Sequence, residues 1–145
     1  FAAKALGGCM VVAQLGSTEV VELPVAVVDD DPAIRMLLRL MLEADGLKIL
    51  EFEDGASALA GLNERRVGAI ILDLGLPEID GFAVLSSLRR SGVHHRTPIL
   101  VLTGRGDGAT ITRAFADGAD DFITKPLNAI EFLARLRRFR RARRL

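Results

Sequence analysis

Three apolar runs in this 145-residue chain each end at a polar residue, and a shorter run follows them. Residues 25–28, 69–72 and 99–102 contain only Val, Ile, Leu and Ala, with no polar residue in alternation. Unbroken runs of this length are typical of strands buried on both faces of a parallel sheet. The shorter run is the pair Phe122-Ile123. The polar residues that follow such strands are expected to meet at one edge of the sheet.

Amphipathic segments separate the apolar runs, as they do in repeated βα units. The first predicted helix has Asp31 as its cap and Pro32 in its first turn, and Gly46 ends it. Residues 47–52 are predicted to form the second strand. The predicted buried face of the first helix consists of Ile34, Leu37, Leu38, Met41 and Leu42.

The remaining helices are predicted at residues 56–66, around Leu85, at residues 110–115 and after Pro126. Together with the strands they complete five βα units. We therefore predict an α/β domain with a doubly wound, five-stranded parallel sheet and helices on both faces. The last helix has a predicted buried face of Ile130, Phe132, Leu133, Leu136 and Phe139.

The composition limits which partners and which cellular compartment are expected. The 19 basic and 19 acidic residues cancel, so no overall field favours nucleic acid or an anionic membrane. Cys9 is the only cysteine, which excludes an internal disulfide and predicts a reducing, cytoplasmic setting. No apolar run reaches the ~20 residues that a bilayer span requires, so no membrane contact is expected.

The residues at the strand ends predict a phosphoryl-binding metal site. Asp29, Asp30 and Asp73 would form an oxygen-rich, negatively charged pocket that suits Mg²⁺. Lys125 could neutralise phosphoryl oxygens, Thr103 offers a hydroxyl, and an aspartate so placed can form an acyl phosphate. Taken singly, each of these residues could be an ordinary surface group, and their common position at one edge argues against that interpretation.

Four motifs resemble the receiver domain of two-component response regulators. They are VVDDDP at residues 27–32, LDLGLPEIDG at 72–81, LTG at 102–104 and GADDFITKP at 118–126. The resemblance covers residues 23–145 and implies a flavodoxin-like fold with strand order 2-1-3-4-5. It further implies a cis bond between Lys125 and Pro126.

The resemblance also implies a role for each site residue. Asp73 would accept a phosphoryl group from a phosphohistidine, with Mg²⁺ held by Asp30, Asp73, Asp29 through water, and the backbone carbonyl of Gly75. Lys125 would pair with the phosphate. Thr103 would move toward the phosphoryl oxygens, and Phe122 would turn inward as it moves.

The implied partners are a histidine kinase or a histidine phosphotransfer domain, and a downstream protein. The downstream protein would bind the surface of the fourth helix, fifth strand and fifth helix, and homodimer formation is a further expectation. Gly104, Gly106 and Gly108 predict a loop that yields during such a change. At most, the domain itself would catalyse its own phosphorylation and dephosphorylation.

Hydrolases of the haloacid-dehalogenase type use a similar set of residues. That family begins with its nucleophile and carries a second aspartate two positions later, whereas here the acidic pair comes first and Gly75 occupies the corresponding position. A phosphohydrolase is therefore the less favoured alternative.

Residues 1–22 do not continue the βα alternation. Strands at residues 9–14 and 19–23, joined by a turn at residues 15–17, are predicted to form a hairpin. It resembles the closing hairpin of a histidine-kinase ATP-binding domain, with a Leu-Gly-Gly sequence at residues 6–8 and Leu-Pro at residues 23–24. This interpretation predicts a hybrid histidine kinase. The alternatives are an unrelated extension on a stand-alone or a DNA-binding response regulator fragment.

Arginines crowd the last helix, and no acidic residue follows Glu131. This basic face favours a protein partner on the output surface, and direct DNA binding is not expected. His94 and His95 are predicted to be surface residues rather than metal ligands. The arginines are Arg135, Arg137, Arg138, Arg140, Arg141, Arg143 and Arg144.

Overall fold

The computed structural model describes the backbone of residues 23–144 and the side chains of residues 23–139. The hairpin predicted at residues 9–23 lies outside the described residues except for its last residue, Leu23, which belongs to no strand. Five strands and five helices alternate along the described chain. They are β1 Val25–Val28, α1 Pro32–Ala44, β2 Ile49–Phe52, α2 Gly55–Leu62, β3 Ala69–Asp73, α3 Gly81–Arg90, β4 Ile99–Thr103, α4 Gly108–Ala116, β5 Asp121–Thr124 and α5 Ala129–Arg144.

The five strands form one sheet in the order β2-β1-β3-β4-β5, and every neighbouring pair is parallel. The order reverses beside β1, because the chain first adds β2 on one side and then crosses to β3 on the other. The predicted fold class and strand order are confirmed. In a sheet of this topology, ligands bind beyond the carboxyl ends of the strands next to the reversal.

Two apolar layers cover the sheet, because successive side chains of a strand point to opposite faces. On one face, Ile71 packs with residues of α1 and α5, among them Leu42 and Phe132. On the other face, Ile70 and Leu72 pack with residues of α2, α3 and α4. The central strands β1, β3 and β4 are buried throughout, which explains why their sequences show no alternation.

The first helix has the boundaries that its sequence predicts. Asp31 Oδ1 accepts a hydrogen bond from the Ala33 N–H at 2.9 Å, and Pro32 begins α1. Gly46 follows the helix with a φ of +80°, a conformation that favours glycine. The second helix is shorter than predicted and ends at Leu62, because residues 63–66 are exposed and offer no apolar side chain to the core.

Two predicted core residues are exposed. Leu37 lies about 100° around α1 from the buried Leu38, which places it 40% exposed at the edge of the apolar face. Ile130 is 83% exposed, because it lies two positions, or about 200°, from the buried Phe132 on α5. The apolar faces of both helices are thus narrower than predicted.

Among the described residues, no helix combines the length and the apolar character that crossing a membrane requires.

Candidate functional site

The carboxyl ends of β1, β3 and β4, with the residue after β5, bring four polar side chains to one edge of the sheet. Asp29 follows β1, Asp73 and Thr103 end β3 and β4, and Lys125 follows β5. Asp29, Asp73 and Thr103 are buried. The Lys125 ammonium lies 3.3 Å from Asp29 Oδ2 and 3.3 Å from Asp73 Oδ2. One ammonium group is therefore shared by two buried carboxylates.

Asp30 completes an acidic cluster with Asp29 and Asp73. One carboxylate oxygen from each residue lies within 4.8 Å of the other two. Asp29 and Asp73 are buried and Asp30 is exposed. Oxygen ligands in this number suit a hard divalent cation that keeps waters for its remaining positions.

The two oxygens of Asp29 have different surroundings. Oδ1 accepts a hydrogen bond from the Asp31 N–H at 2.9 Å. Oδ2 is buried and accepts no hydrogen bond from the described part of the chain, although the Lys125 ammonium is near. Burial raises the pKa of Asp29, and the charge of Asp73 raises it further, against the opposing effects of the Asp31 N–H and Lys125. The fold therefore holds a carboxylate whose negative charge it compensates incompletely.

Lys125 responds to the same surroundings in the opposite direction. Burial disfavours its charge, but the carboxylates of Asp73 and Asp29 outweigh that effect and raise the pKa of the ammonium. The backbone positions the residue as well, because the Lys125 N–H donates to the Thr103 carbonyl at 2.9 Å. The Lys125–Pro126 peptide bond is cis, as the resemblance implied. Lys125 is thus held in the charged state beside Asp73.

Glycines shape the loop that follows Asp73. The Gly75 N–H donates to Asp73 Oδ1 at 2.9 Å, and a Cβ at residue 75 would meet only that oxygen, at 3.5 Å. At Gly81, by contrast, a Cβ would lie 2.5 Å from the Leu74 Cα, so only glycine allows α3 to begin so close to this loop. The two glycines therefore have different roles. Gly75 donates a hydrogen bond to Asp73, whereas Gly81 is required because a side chain there would collide with the loop.

Thr103 directs its hydroxyl toward the loop between β4 and α4. Oγ1 donates to the Arg105 carbonyl at 3.0 Å and accepts from the Arg105 N–H at 2.9 Å. The hydroxyl is thus engaged with backbone in this conformation. To reach a group bound on Asp73 it has to leave Arg105.

A cleft of about 520 Å³ opens over these residues. Six of its lining residues were not assigned to the site from the sequence: Asp31, Leu74, Phe82, Gly104, Arg105 and Thr110. Arg105 follows Thr103 by two positions in a glycine-rich loop, a spacing that could have indicated its place. The cleft is lined by Asp30, Asp31, Asp73, Leu74, Gly75, Phe82, Thr103, Gly104, Arg105, Thr110 and Lys125.

Phe122, predicted to be a switch residue, is half-buried on β5 and does not line this cleft. Its ring packs edge-to-face on Phe115 of α4, with the ring centres 6.1 Å apart. The Arg135 guanidinium lies 5.8 Å from the centre of the Phe122 ring. The side chain therefore joins α4, β5 and α5, the elements predicted to form the output surface.

Part of the arginine-rich face is engaged within the chain. Arg135 Nη1 donates to both carboxylate oxygens of Asp121, at 2.8 and 2.9 Å. Arg137 Nη2 lies 2.5 Å from Asp45 Oδ1 and so connects α5 to the end of α1. These two arginines consequently stabilise the position of α5.

The prediction that His94 lies on the surface is wrong. Its side chain is fully buried, with Nε2 2.7 Å from the Leu62 carbonyl oxygen and Nδ1 3.1 Å from Thr97 Oγ1. Because a carbonyl only accepts, Nε2 carries the proton and satisfies a carbonyl at the end of α2. His95 is exposed, as predicted. Neither histidine belongs to the acidic cluster.

The doubly wound sheet with an acidic cleft at its carboxyl edge defines a class of α/β domain, and comparison with known proteins identifies the family. Residues 25–137 match the family model described as the response regulator receiver domain. The chain belongs to this family.

Individual relatives agree with the family assignment. The chain is 42% identical over 113 residues to the transcriptional regulatory protein KdpE of Mycobacterium tuberculosis, covering 78% of this chain and 49% of that protein. It spans about half the length of the curated relatives it matches.

Two solved structures are similar in fold. The receiver domain of the sensor histidine kinase PA1611 from Pseudomonas aeruginosa, with a magnesium ion coordinated in its active-site cleft, has a TM-score of 0.76 and 25% identity. That match covers 83% of this chain and 98% of the other. The chemotaxis response regulator CheY4 of Vibrio cholerae has a TM-score of 0.78 and 30% identity, covering 82% of this chain and 99% of the other.

Proposed function

We propose that this chain accepts a phosphoryl group on Asp73 from a phosphohistidine, in a reaction that requires Mg²⁺, and transmits the change to a partner protein. The observation that carries the proposal is the position of Asp73, a buried carboxylate 3.3 Å from Lys125 in a cleft with two further aspartates. The partner that supplies the phosphoryl group is inferred to be a histidine kinase or a histidine phosphotransfer domain.

The proposed reaction is a phosphoryl transfer between two side chains. A carboxylate oxygen of Asp73 forms a bond to phosphorus, the phosphorus–nitrogen bond breaks, and its electron pair returns to the imidazole of the donor histidine. The Gly75 N–H holds the carboxylate in place through Asp73 Oδ1. The Lys125 ammonium lies beside the other oxygen and can stabilise the charge of the phosphoryl group.

The residues of the cleft fit a divalent cation. Three carboxylates place oxygens within 4.8 Å of one another, and the buried Oδ2 of Asp29 lacks a hydrogen-bond donor in the described chain. We infer that Asp29, Asp30, Asp73 and the Gly75 carbonyl would hold Mg²⁺, as the related Pseudomonas aeruginosa domain holds magnesium in its cleft. When bound, the ion would supply positive charge for the phosphoryl oxygens.

Thr103 and Phe122 are proposed to respond to phosphorylation. A phosphoryl group adds negative charge and acceptor oxygens, which would draw the Thr103 hydroxyl away from the Arg105 backbone. Because Phe122 contacts α4 and lies near Arg135 of α5, a change at β5 would alter the surface of α4, β5 and α5. We infer that a downstream protein, or a second copy of the chain, binds there.

The full-length protein has two candidate settings. Similarity to a sensor-kinase receiver domain and the motif in residues 1–22 favour a hybrid histidine kinase. The curated relatives are named as regulators, which favours a stand-alone or DNA-binding response regulator. The parent reading frame on both sides of the chain distinguishes the two settings. The cytoplasmic location stays a prediction.

A labelling experiment tests the proposal. The wild-type chain, incubated with acetyl phosphate and Mg²⁺, should form a stoichiometric, acid-stable and alkali-labile phosphoprotein, and Asp73→Asn should not. Asp54→Asn is the matched control, because Asp54 is a half-buried helix cap outside the acidic cluster and asparagine caps equally well. Undiminished labelling of Asp73→Asn would refute the assignment. Sustained hydrolysis of a generic phosphate monoester would instead favour the phosphohydrolase alternative.

A further inference from the structure

Arg105 is a cationic residue in the cleft to which the proposed reaction assigns no role. It lies in the loop between β4 and α4, and its side chain is 81% exposed. Its Nε lies 3.4 Å from Asp107 Oδ2, the nearest carboxylate among its ion pairs in the described chain. An ion pair this exposed is weak and easily exchanged.

The backbone of Arg105 is connected to the proposed site through Thr103. The Thr103 hydroxyl bonds both the N–H and the carbonyl of Arg105. Any movement of this hydroxyl toward Asp73 therefore releases both backbone groups. Gly104 precedes Arg105, and a Cβ there would meet no atom within 4 Å, so the segment has space to move.

Even with the proposed Mg²⁺ bound, the four carboxylates of Asp29, Asp30, Asp31 and Asp73 outnumber the three positive charges of the ion and Lys125. Asp30, Asp31 and Asp73 line it, and Lys125 is already shared between Asp73 and the buried Asp29. A phosphoryl group would add further negative charge. A guanidinium group matches phosphoryl oxygens well, because its planar fork donates two parallel hydrogen bonds.

Asp107 is suited to release Arg105 without loss of helix structure. Its Oδ1 accepts the Thr110 N–H at 2.8 Å and caps α4, while Oδ2 contacts Arg105. The Thr110 N–H, and to a smaller extent Arg105, lowers the pKa of Asp107. The cap therefore stays in place when the guanidinium leaves.

We propose that Arg105 is a second cationic side chain, beside Lys125, that binds the phosphoryl group on Asp73, and that it exchanges the Asp107 carboxylate for phosphoryl oxygens when the Thr103 hydroxyl leaves the Arg105 backbone. The exchange is noncovalent. It rests on the proposed function, because it requires that Asp73 accept a phosphoryl group.

The first test compares labelling rates with acetyl phosphate and Mg²⁺ at low and high salt. Arg105→Ala is expected to label about fivefold more slowly than the wild-type chain and to show less salt dependence. Arg105→Lys should recover part of the rate. Arg66→Ala is the matched control, an exposed arginine in the loop before β3 at the opposite edge, and it should label like the wild-type chain.

The second test uses beryllium fluoride, a stable mimic of the phosphoryl group, with Mg²⁺ and detection by ¹⁹F NMR. Asp107→Asn keeps the helix cap but removes the competing charge, so it should bind the mimic about threefold more tightly. In an Arg105→Ala background, the same substitution should have no effect. This dependence is a readout that a merely structural role for Arg105 would not produce.

The outcomes separate the two proposals. If the wild-type chain is not labelled on Asp73, the proposed function is wrong and the role of Arg105 is wrong with it. If the wild-type chain is labelled, and Arg105→Ala matches it in rate, in salt dependence and in affinity for the mimic, only the role of Arg105 is overturned. Circular dichroism of each variant checks folding, which an exposed side chain should not affect.

Discussion

The two edges of the sheet use charged side chains in opposite ways. At the amino edge, Arg89 donates to the carbonyls of Gly118, His94 and Thr97 at 2.8, 2.9 and 2.6 Å, and to Asp120 Oδ2 at 2.7 Å. At the carboxyl edge, one ammonium group serves two buried carboxylates, and Asp29 Oδ2 has no hydrogen-bond donor in the described chain. One cluster is satisfied internally and the other is not.

This difference separates a stabilising cluster from a candidate functional one. Polar groups that find hydrogen-bond partners within the protein contribute to stability, because these bonds replace the ones that water would otherwise supply. A carboxylate cluster with incomplete compensation lowers stability unless a ligand of opposite charge binds. The comparison predicts that the amino edge controls stability and that the carboxyl edge controls ligand binding.

The largest effect on stability is expected for Arg89→Met. This substitution removes the hydrogen bonds to three carbonyls and one carboxylate and should lower the free energy of unfolding by about 2–4 kcal/mol. Urea unfolding followed by circular dichroism measures the change. Arg66→Met, at an exposed position, should stay within about 0.5 kcal/mol of the wild-type chain. Loss of Asp73 labelling in the folded variant would show that the two edges are not independent.

A smaller effect is expected for Lys125→Ala. Without divalent cations the variant should lose about 1–2 kcal/mol of unfolding free energy, because Asp29 and Asp73 then repel each other without a shared ammonium. Mg²⁺ should recover more stability in the variant than in the wild-type chain, while the conformational response to phosphorylation is lost. Calorimetry with and without Mg²⁺ measures the first effect. The exposed Lys48→Ala serves as control, and a variant unable to bind Mg²⁺ would contradict the assigned roles.

Asp29→Asn should change stability in the opposite direction. Without metal it should raise the free energy of unfolding by about 1 kcal/mol, because it removes a buried charge and keeps an acceptor for the Asp31 N–H. It should also weaken Mg²⁺ binding about tenfold. Thermal unfolding and a Mg²⁺ titration measure the two effects, with Asp54→Asn as control. Destabilisation of the metal-free variant would mean that the carboxylate is compensated within the fold.

The smallest expected effect is a dependence of stability on pH, which Asp29 produces when no metal ion is bound. Because burial raises its pKa in the folded state, the folded chain binds this proton more tightly than the unfolded chain. Stability should therefore fall as pH rises from roughly 4 through the raised pKa, and stay lower above it. Urea unfolding across this range, with chelator present, should show the fall in the wild-type chain and a flatter profile in Asp29→Asn. If the stability of both chains depends on pH to the same extent, Asp29 is not the source of the dependence.

The positions of the candidate site residues could be predicted because they follow the strands directly. Asp29, Asp73 and Thr103 each stand at the end of an apolar run, and a parallel sheet brings such ends to one edge. No comparable sequence pattern predicts the positions of Arg89 and His94. Their partners lie up to 32 residues away in the chain, and no local pattern encodes which of them will meet.

The errors at Leu37 and Ile130 have a related cause. Helical periodicity predicts which residues share a face, but the sheet and the neighbouring helices decide how wide the covered part of that face is. Both residues lie outside the covered part and are exposed.

The sequence by itself determined the alternation of strands and helices, their parallel arrangement and the set of polar residues at the carboxyl edge. These follow from the spacing of apolar residues and from position along the chain. Only the tertiary structure decided that Asp29 is buried while Asp30 is exposed, that one ammonium lies between two carboxylates, and that Arg105 enters the cleft. Burial and charge compensation depend on segments that are distant in sequence, so they arise only when those segments pack together.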